Sequence, residues 1–273
     1  MPHDRHDHDR GLAHDLQTLT AKAGGRRRLL GWMLGAAVVP VIGCGDSSDG
    51  ASTGSSSNGE TAGDGSCSQI PEETAGPYPG DGSNGPNALT LTGLARSDIR
   101  SSIAGLTGTA EGVPLTVRLR LLDSGRECAA LGGYVVYLWH CDRDGHYSLY
   151  TVTDQNYLRG VQEADDDGVV TFTTVFPGCY SGRMPHIHFE VYPSLAAATA
   201  SGNKIATSQI ALPTDVCDEV YATSGYEASV KNLASISFET DNVFSDGVSQ
   251  ELATVTGSVS EGLVATLTVG VKA

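Results

Sequence analysis

Residues 174–192 read TVFPGCYSGRMPHIHFEVY, and this stretch decides how the chain folds. In its second half Ile187, Phe189 and Val191 alternate with His186, His188 and Glu190. A period of two belongs to a β-strand with unlike faces, because successive side chains point to opposite sides. One face then joins a hydrophobic core and the other carries two imidazoles side by side. Histidine is the commonest metal ligand, so H-x-H on a core strand is an economical start for a metal site. Taken alone, the motif is shared by zinc, copper and iron proteins, and also by strands that merely display two surface histidines.

The same period recurs on both sides of this strand. Leu115, Val117, Leu119 and Leu121 alternate with Thr116, Arg118 and Arg120. Residues 133–140, GYVVYLWH, are apolar on both faces and read as a central strand. Further strands are expected over 168–175, 205–212, 252–255 and 263–271. One short helix is expected over 215–222, where Cys217, Val220 and Tyr221 share a face. Charged residues make up 18% of the chain, below the roughly 25% of an average soluble domain, while glycine is abundant at 34 residues. The expected fold class is all-β: a sandwich of mostly antiparallel strands with long loops and at most short helices. No heptad or internal repeat is present, which excludes a coiled coil or solenoid.

Ahead of these strands the chain changes character. Arg26-Arg27-Arg28 precedes an apolar run from Leu29 to Gly43, the length of a signal h-region and too short to span a membrane. The pattern Arg-Arg-x-Leu-Leu matches a twin-arginine export signal. Val41-Ile42-Gly43-Cys44 reads as a lipobox, with Cys44 as the lipidated first residue of an exported, membrane-anchored protein. Residues 45–66 are nearly all Gly, Ser, Asp and Thr and form a flexible tether, leaving 67–273 as one folded domain. Without residues 1–44, Lys plus Arg falls from 17 to 11 and Asp plus Glu from 32 to 28, a net charge of −17. Nucleic-acid binding is thereby excluded, because phosphate contacts need a basic surface. Four histidines remain, His140, His146, His186 and His188, and all ten tyrosines.

Five cysteines follow Cys44: Cys67, Cys128, Cys141, Cys179 and Cys217. Export favours disulfides, and two bridges with one thiol left over are expected, in any of about fifteen pairings. No C-x-x-C pair exists, which disfavours a thiolate metal site. Two histidines need further ligands. Glu190 shares their face and would complete a two-His-one-carboxylate set for zinc or copper. Tyr180 lies six residues before His186, after a Pro-Gly turn, and Tyr157 sits in a loop over 154–160. A sandwich that only binds a surface partner, its metal site vestigial, is the non-enzymatic alternative.

Four ordered stretches resemble the intradiol ring-cleavage dioxygenases, the group of protocatechuate 3,4-dioxygenase and catechol 1,2-dioxygenase. They are ETAGPYPGD over 73–81, GGYVVYLWHCDRDGHYS over 132–148, NYLRGVQEADDDGVVTF over 156–172 and TVFPGCYSGRMPHIHFEV over 174–191. The resemblance covers roughly residues 67–273 and is nearest to the exported, often lipid-anchored branch. It implies Fe(III) held by two tyrosinates and two imidazoles, with Tyr157, Tyr180, His186 and His188 at those positions. It places Arg183 over the bound substrate and Gln209, in TSQIALP, near the substrate ring. Tyr134, Tyr137 and Tyr147 read as core or rim, and His140 and His146 as structural. The implied reaction opens a catechol-type ring between its two hydroxylated carbons with O2. Tyr180 would leave the metal as general base, and Arg183 would stabilise negative charge growing on the ring. Cys179 departs from the pattern, standing where that branch often has an aromatic. The N-terminal helical region of the classical enzymes is replaced by the tether, which leaves oligomeric state open.

Overall fold

The computed structural model describes residues 67–273. The export signal, Cys44 and the tether expected over 1–66 lie outside the described residues. Nine strands form: β1 (Pro114–Asp123), β2 (Ala129–Ala130), β3 (Val135–Trp139), β4 (Arg159–Glu163), β5 (Val169–Val175), β6 (His186–Tyr192), β7 (Ala206–Ala211), β8 (Thr254–Ser258) and β9 (Gly262–Val271). Two short helices, α1 (Thr214–Tyr221) and α2 (Glu227–Leu233), lie between β7 and β8. One sheet runs β2-β1-β9-β8 with β5 on the other edge of β1, and the second runs β4-β3-β6-β7. Every pairing is antiparallel except β1 with β9. The all-β sandwich read from the alternation is the fold observed.

Three elements escape the periodicity, for visible reasons: β2 is only two exposed alanines, too short to show a period. Helix α2 buries only Ser229 and Leu233, too thin a stripe to register as amphipathic. Strand β4, RGVQE, opens on a buried arginine where a strand pattern calls for an apolar residue. Arg159 is tolerated because its guanidinium donates to the carbonyls of Tyr78, Pro79 and Ser148 and to the Ser148 and Tyr137 hydroxyls, at 2.7–3.1 Å.

The core between the sheets is built as the period requires. Leu115, Val117, Leu119 and Leu121 of β1 face Ile187, Phe189 and Val191 of β6 across the interior, all essentially inaccessible. The outer face of the second sheet is buried too. A second apolar cluster covers it, with Ala88, Leu89 and Leu94 from the chain before β1 packed on Val135, Tyr137, Trp139 and Tyr192. Hydrogen bonds fasten this cover down: Glu73 N–H donates to Thr207 O at 2.9 Å, and the Tyr137 hydroxyl to Pro79 O at 2.8 Å. His186 and His188 therefore sit on a sheet face sealed from water, not on an open surface.

The cysteines correct one expectation. Among the described residues a single disulfide forms, Cys67–Cys128, and Cys141, Cys179 and Cys217 are free and buried. The three thiols behave as small apolar groups inside the two clusters, with weak donations to Gly178 O, Arg183 O and Leu212 O at 3.5–3.9 Å. Burial pushes the Cys179 thiol up to about 12, so it is unreactive.

Candidate metal centre

Strand β6 holds His186 and His188 rigidly because both its faces are packed. The His186 Nδ1–H donates to Met184 O at 2.6 Å, which fixes the tautomer and leaves a lone pair on Nε2. That Nε2 lies 3.1 Å from His188 Nε2 and 3.2 Å from the Tyr180 hydroxyl. Trp139, directly opposite His188 in the β3–β6 register, stacks on its imidazole at 5.0 Å and 2° between planes. Burial first, then neighbouring Arg183 for His186 and His186 itself for His188, hold both rings well below their usual protonation range. Two neutral imidazoles and a phenol thus converge on one point, the charge state in which nitrogen binds a metal.

A second phenol stands beside them. Strand β3 runs antiparallel to β6, so the loop leaving β3 after Trp139 arrives at the His186 end. A tight turn shapes it: Asp142 Oδ1 accepts from the Asp144 and His146 N–H groups, and Gly145 takes φ +83°. The loop then closes on residues 177–180. A Cβ at Gly178 would lie 2.4 Å from Arg143 O, and one at Gly145 would lie 3.1 Å from Tyr180 Cβ, so glycine is required at both places. The result brings Tyr147 to 6.0 Å from Tyr180 and 6.3 Å from His188, ring to ring. The Tyr147 hydroxyl is buried, and among the described residues no group accepts from it or donates to it within 3.5 Å. Burial, reinforced by nearby Tyr180, drives its phenol well above the ordinary range. An orphaned buried hydroxyl costs about 1–3 kcal/mol, a cost removed by a cation that takes the phenolate as ligand.

Tyr157, the first tyrosinate of the sequence reading, is not part of this convergence. Its hydroxyl donates to Asp142 Oδ2 at 3.2 Å, and its ring packs in a separate cluster with Ala110, Leu158 and Val175. It lines a shallow 170 Å³ pocket with Thr109, Glu111 and Arg143 instead. Tyr147, read as core or rim, occupies the place expected of it. The sequence carried a usable signal: GHYS lies just past a strand that must pair with the H-x-H strand. His140 is structural as expected, bonded to Cys141 O and Thr174 Oγ1 at 2.7 Å, and burial pulls it down to about 4.

Arg183 and Gln209 do come together. Gln209 lies across from His188 on β7; its Oε1 accepts from Arg183 Nη2 at 2.7 Å and its Nε2 donates to Thr74 O at 2.8 Å. Arg183 is buried against Asp241, which accepts from its Nε at 3.1 and 3.3 Å, and lies 5.7 Å over the Phe244 ring. Nothing in the sequence pattern singles out Asp241, because its segment is irregular.

The carboxylate alternative loses its ligand. Glu190 shares the β6 face, but Tyr192 donates to one of its oxygens at 2.7 Å and Lys204 to the other at 2.6 Å. Among the described residues no group of three His, Cys, Asp or Glu side chains is placed to hold a metal. The third donor at the imidazole pair is the phenol of Tyr180.

Comparison with known proteins bears on this geometry. A family model described as Dioxygenase matches residues 84–272. The fold is similar to an intradiol ring-cleavage dioxygenase from Tetranychus urticae, at 26% identity and a TM-score of 0.58, over 75% of this chain and 95% of that one. It is also similar to the dioxygenase domain of a dioxygenase carbohydrate-binding protein fusion from Streptomyces sp. SirexAA-E, at 22% identity and a TM-score of 0.45, over 74% and 96% of the two chains. No curated protein matches.

Proposed function

This chain belongs to the intradiol ring-cleavage dioxygenases, and we propose that it is a non-haem Fe(III) member that opens catechol-type rings between their hydroxylated carbons with O2. The observation that carries the proposal is the meeting of the Tyr180 hydroxyl with His186 and His188 Nε2, beside the orphaned hydroxyl of Tyr147. Tyr147, Tyr180, His186 and His188 are then the ligands. The donor set suits the ion: two phenolates match a hard trivalent cation, and both imidazoles are already neutral.

Bound there, ferric iron supplies a Lewis-acid centre that polarises the catechol oxygens and makes the ring reactive toward O2. The protein's own groups do the rest. Tyr180 is half-buried while Tyr147 is sealed beneath Tyr78, so Tyr180 is the tyrosine that would turn toward an arriving catechol and take a proton from its hydroxyl. Met184 O and Trp139 keep the two imidazoles in one orientation throughout. Arg183, held by Asp241 and Gln209, presents a fixed positive charge in a water-poor site, where it acts most strongly on charge that develops during the reaction.

Colour tests the proposal at once. Purified protein is expected to be burgundy, with a broad visible tyrosinate-to-iron band that shifts when catechol is added; full-length protein that stays colourless after ferric loading would refute it. The same proposal extends to the N-terminus: twin-arginine export carries a folded, iron-loaded domain, and lipid on Cys44 anchors it through the 45–66 tether. Wild-type protein is expected in the membrane fraction with Cys44 as its lipidated first residue, and Cys44→Ser is expected to lose the lipid. A soluble wild-type protein beginning elsewhere would remove the anchor and leave the enzyme assignment standing.

A further inference from the structure

The carboxylate of Asp241 is completely buried, yet it makes more contacts than a counter-ion needs. One edge accepts from Arg183 Nε at 3.1 Å. The same Oδ2 accepts the Met184 N–H at 2.6 Å, and Oδ1 accepts the N–H groups of Val243 and Phe244 at 2.8 and 3.2 Å. Met184 is the residue whose carbonyl fixes the His186 tautomer. Phe244, gathered in by that turn, lies 5.7 Å under the Arg183 guanidinium and 6.4 Å from the His186 ring. One side chain from the irregular segment after α2 therefore touches the fixing elements of both the cation and the first imidazole.

We propose that Asp241 is the positioning residue of this site, setting the orientation of the Arg183 guanidinium and anchoring the backbone of Met184, whose carbonyl in the next peptide unit holds the His186 ring. A buried acid that only balanced Arg183 would have no reason to bind the Met184 amide as well. A carboxylate is the group that can do both, since its two oxygens offer about four acceptor positions in one plane. Arg183 Nε lies within 3.3 Å of both oxygens, so in either orientation an amide at 241 puts its NH2 group against that N–H and against the backbone N–H groups of Met184 or of Val243 and Phe244, a donor against donors. The guanidinium must then turn, and displacement of a reacting-site group by about 1 Å is enough to cost roughly 10²-fold in rate.

This inference rests on the ferric dioxygenase reading for its kinetic test, and a metal-free measurement separates the two. Asp241→Asn is expected to keep at least half its iron and the visible band while turnover per bound iron falls roughly 10–10²-fold, with KM for catechol shifted less than about threefold. In an Arg183→Gln background the same substitution is expected to cost no further turnover, because the two residues act as a unit. If Asp241→Asn does not fold, Asp241→Glu, which keeps the charge but advances it by one methylene, takes its place with the same expected loss. Unchanged turnover per iron in a folded variant, or an equal loss in both backgrounds, would overturn the proposal, since a purely structural role lowers only the melting temperature. In metal-free protein the ¹⁵N signal of the Arg183 Nε–H is expected to be slow to exchange in wild type and fast in the variant. Equal exchange in the two would overturn the positioning role whatever the metal proves to be.

Discussion

Tyr147→Phe is expected to strip the visible band of the loaded protein and to lower bound iron tenfold or more, while Tyr157→Phe leaves both as in wild type. The two tyrosines lie ten positions apart; the sequence reading gave the place to Tyr157 and read Tyr147 as core or rim. Removing a ligand itself costs at least the roughly 10–100-fold that follows from disturbing the groups that hold ligands in place. At Tyr157 the substitution removes only the bond to Asp142 Oδ2, worth about 1 kcal/mol of stability, on a side chain that packs in a different cluster. His186→Ala and His188→Ala are expected to behave like Tyr147→Phe in iron content. Tyr180→Phe is expected to shift the band and slow proton uptake as well. The assignment fails if Tyr157→Phe bleaches the protein and Tyr147→Phe does not; iron is then held by a site other than the β6 face.

These outcomes mark where the sequence could and could not be read. The strands were legible because the sandwich is built from faces that repeat every two residues: Leu115 to Leu121 and Ile187 to Val191 sit on the inner faces their alternation assigns. H-x-H was legible for the same reason. That the Tyr147 loop and not the Tyr157 loop returns to the histidines was not, since both are single tyrosines in loops and the periodicity ends where loops begin. What separates them is which loop returns to His186, and that follows from the β3–β6 pairing, Trp139 opposite His188. Asp241 was still further from reach, because its partners Arg183 and Met184 lie more than fifty residues away and its own segment has no period. The cysteines misled through composition: export argues for bridges in general, whereas Cys141, Cys179 and Cys217 were recruited as core fillers in separate places. Cys179 precedes Tyr180, but its thiol points to Arg183 O and the inter-sheet core, so the chain packs sulfur there, against the core rather than the imidazole pair.

Arg183→Ala is expected to bind iron and catechol and to cleave slowly, with turnover per iron down roughly 10²–10³-fold, the scale for losing one preorganised electrostatic partner. The argument rests on where the charge sits. Arg183 is 1% exposed, so its field is little screened by water, and it adds to burial in holding His186 and His188 neutral. Its guanidinium is not free to follow the substrate: Asp241 holds Nε and Gln209 holds Nη2, so the cation is in place before the ring arrives. Such a group contributes little to ground-state binding of a catechol and much to the state in which negative charge has built up on the ring. The substitution also leaves Asp241 buried without its cation, at about 3–5 kcal/mol of folding stability, so rates must be normalised to folded, iron-loaded protein. Arg183→Gln combined with Asp241→Asn removes both charges together and provides the stable control. The decisive measurement is single-turnover cleavage under O2 with the catechol complex already formed. A rate equal to wild type in both variants would take Arg183 out of the reaction even with all four iron ligands confirmed. A loss confined to catechol affinity would make it a binding residue instead.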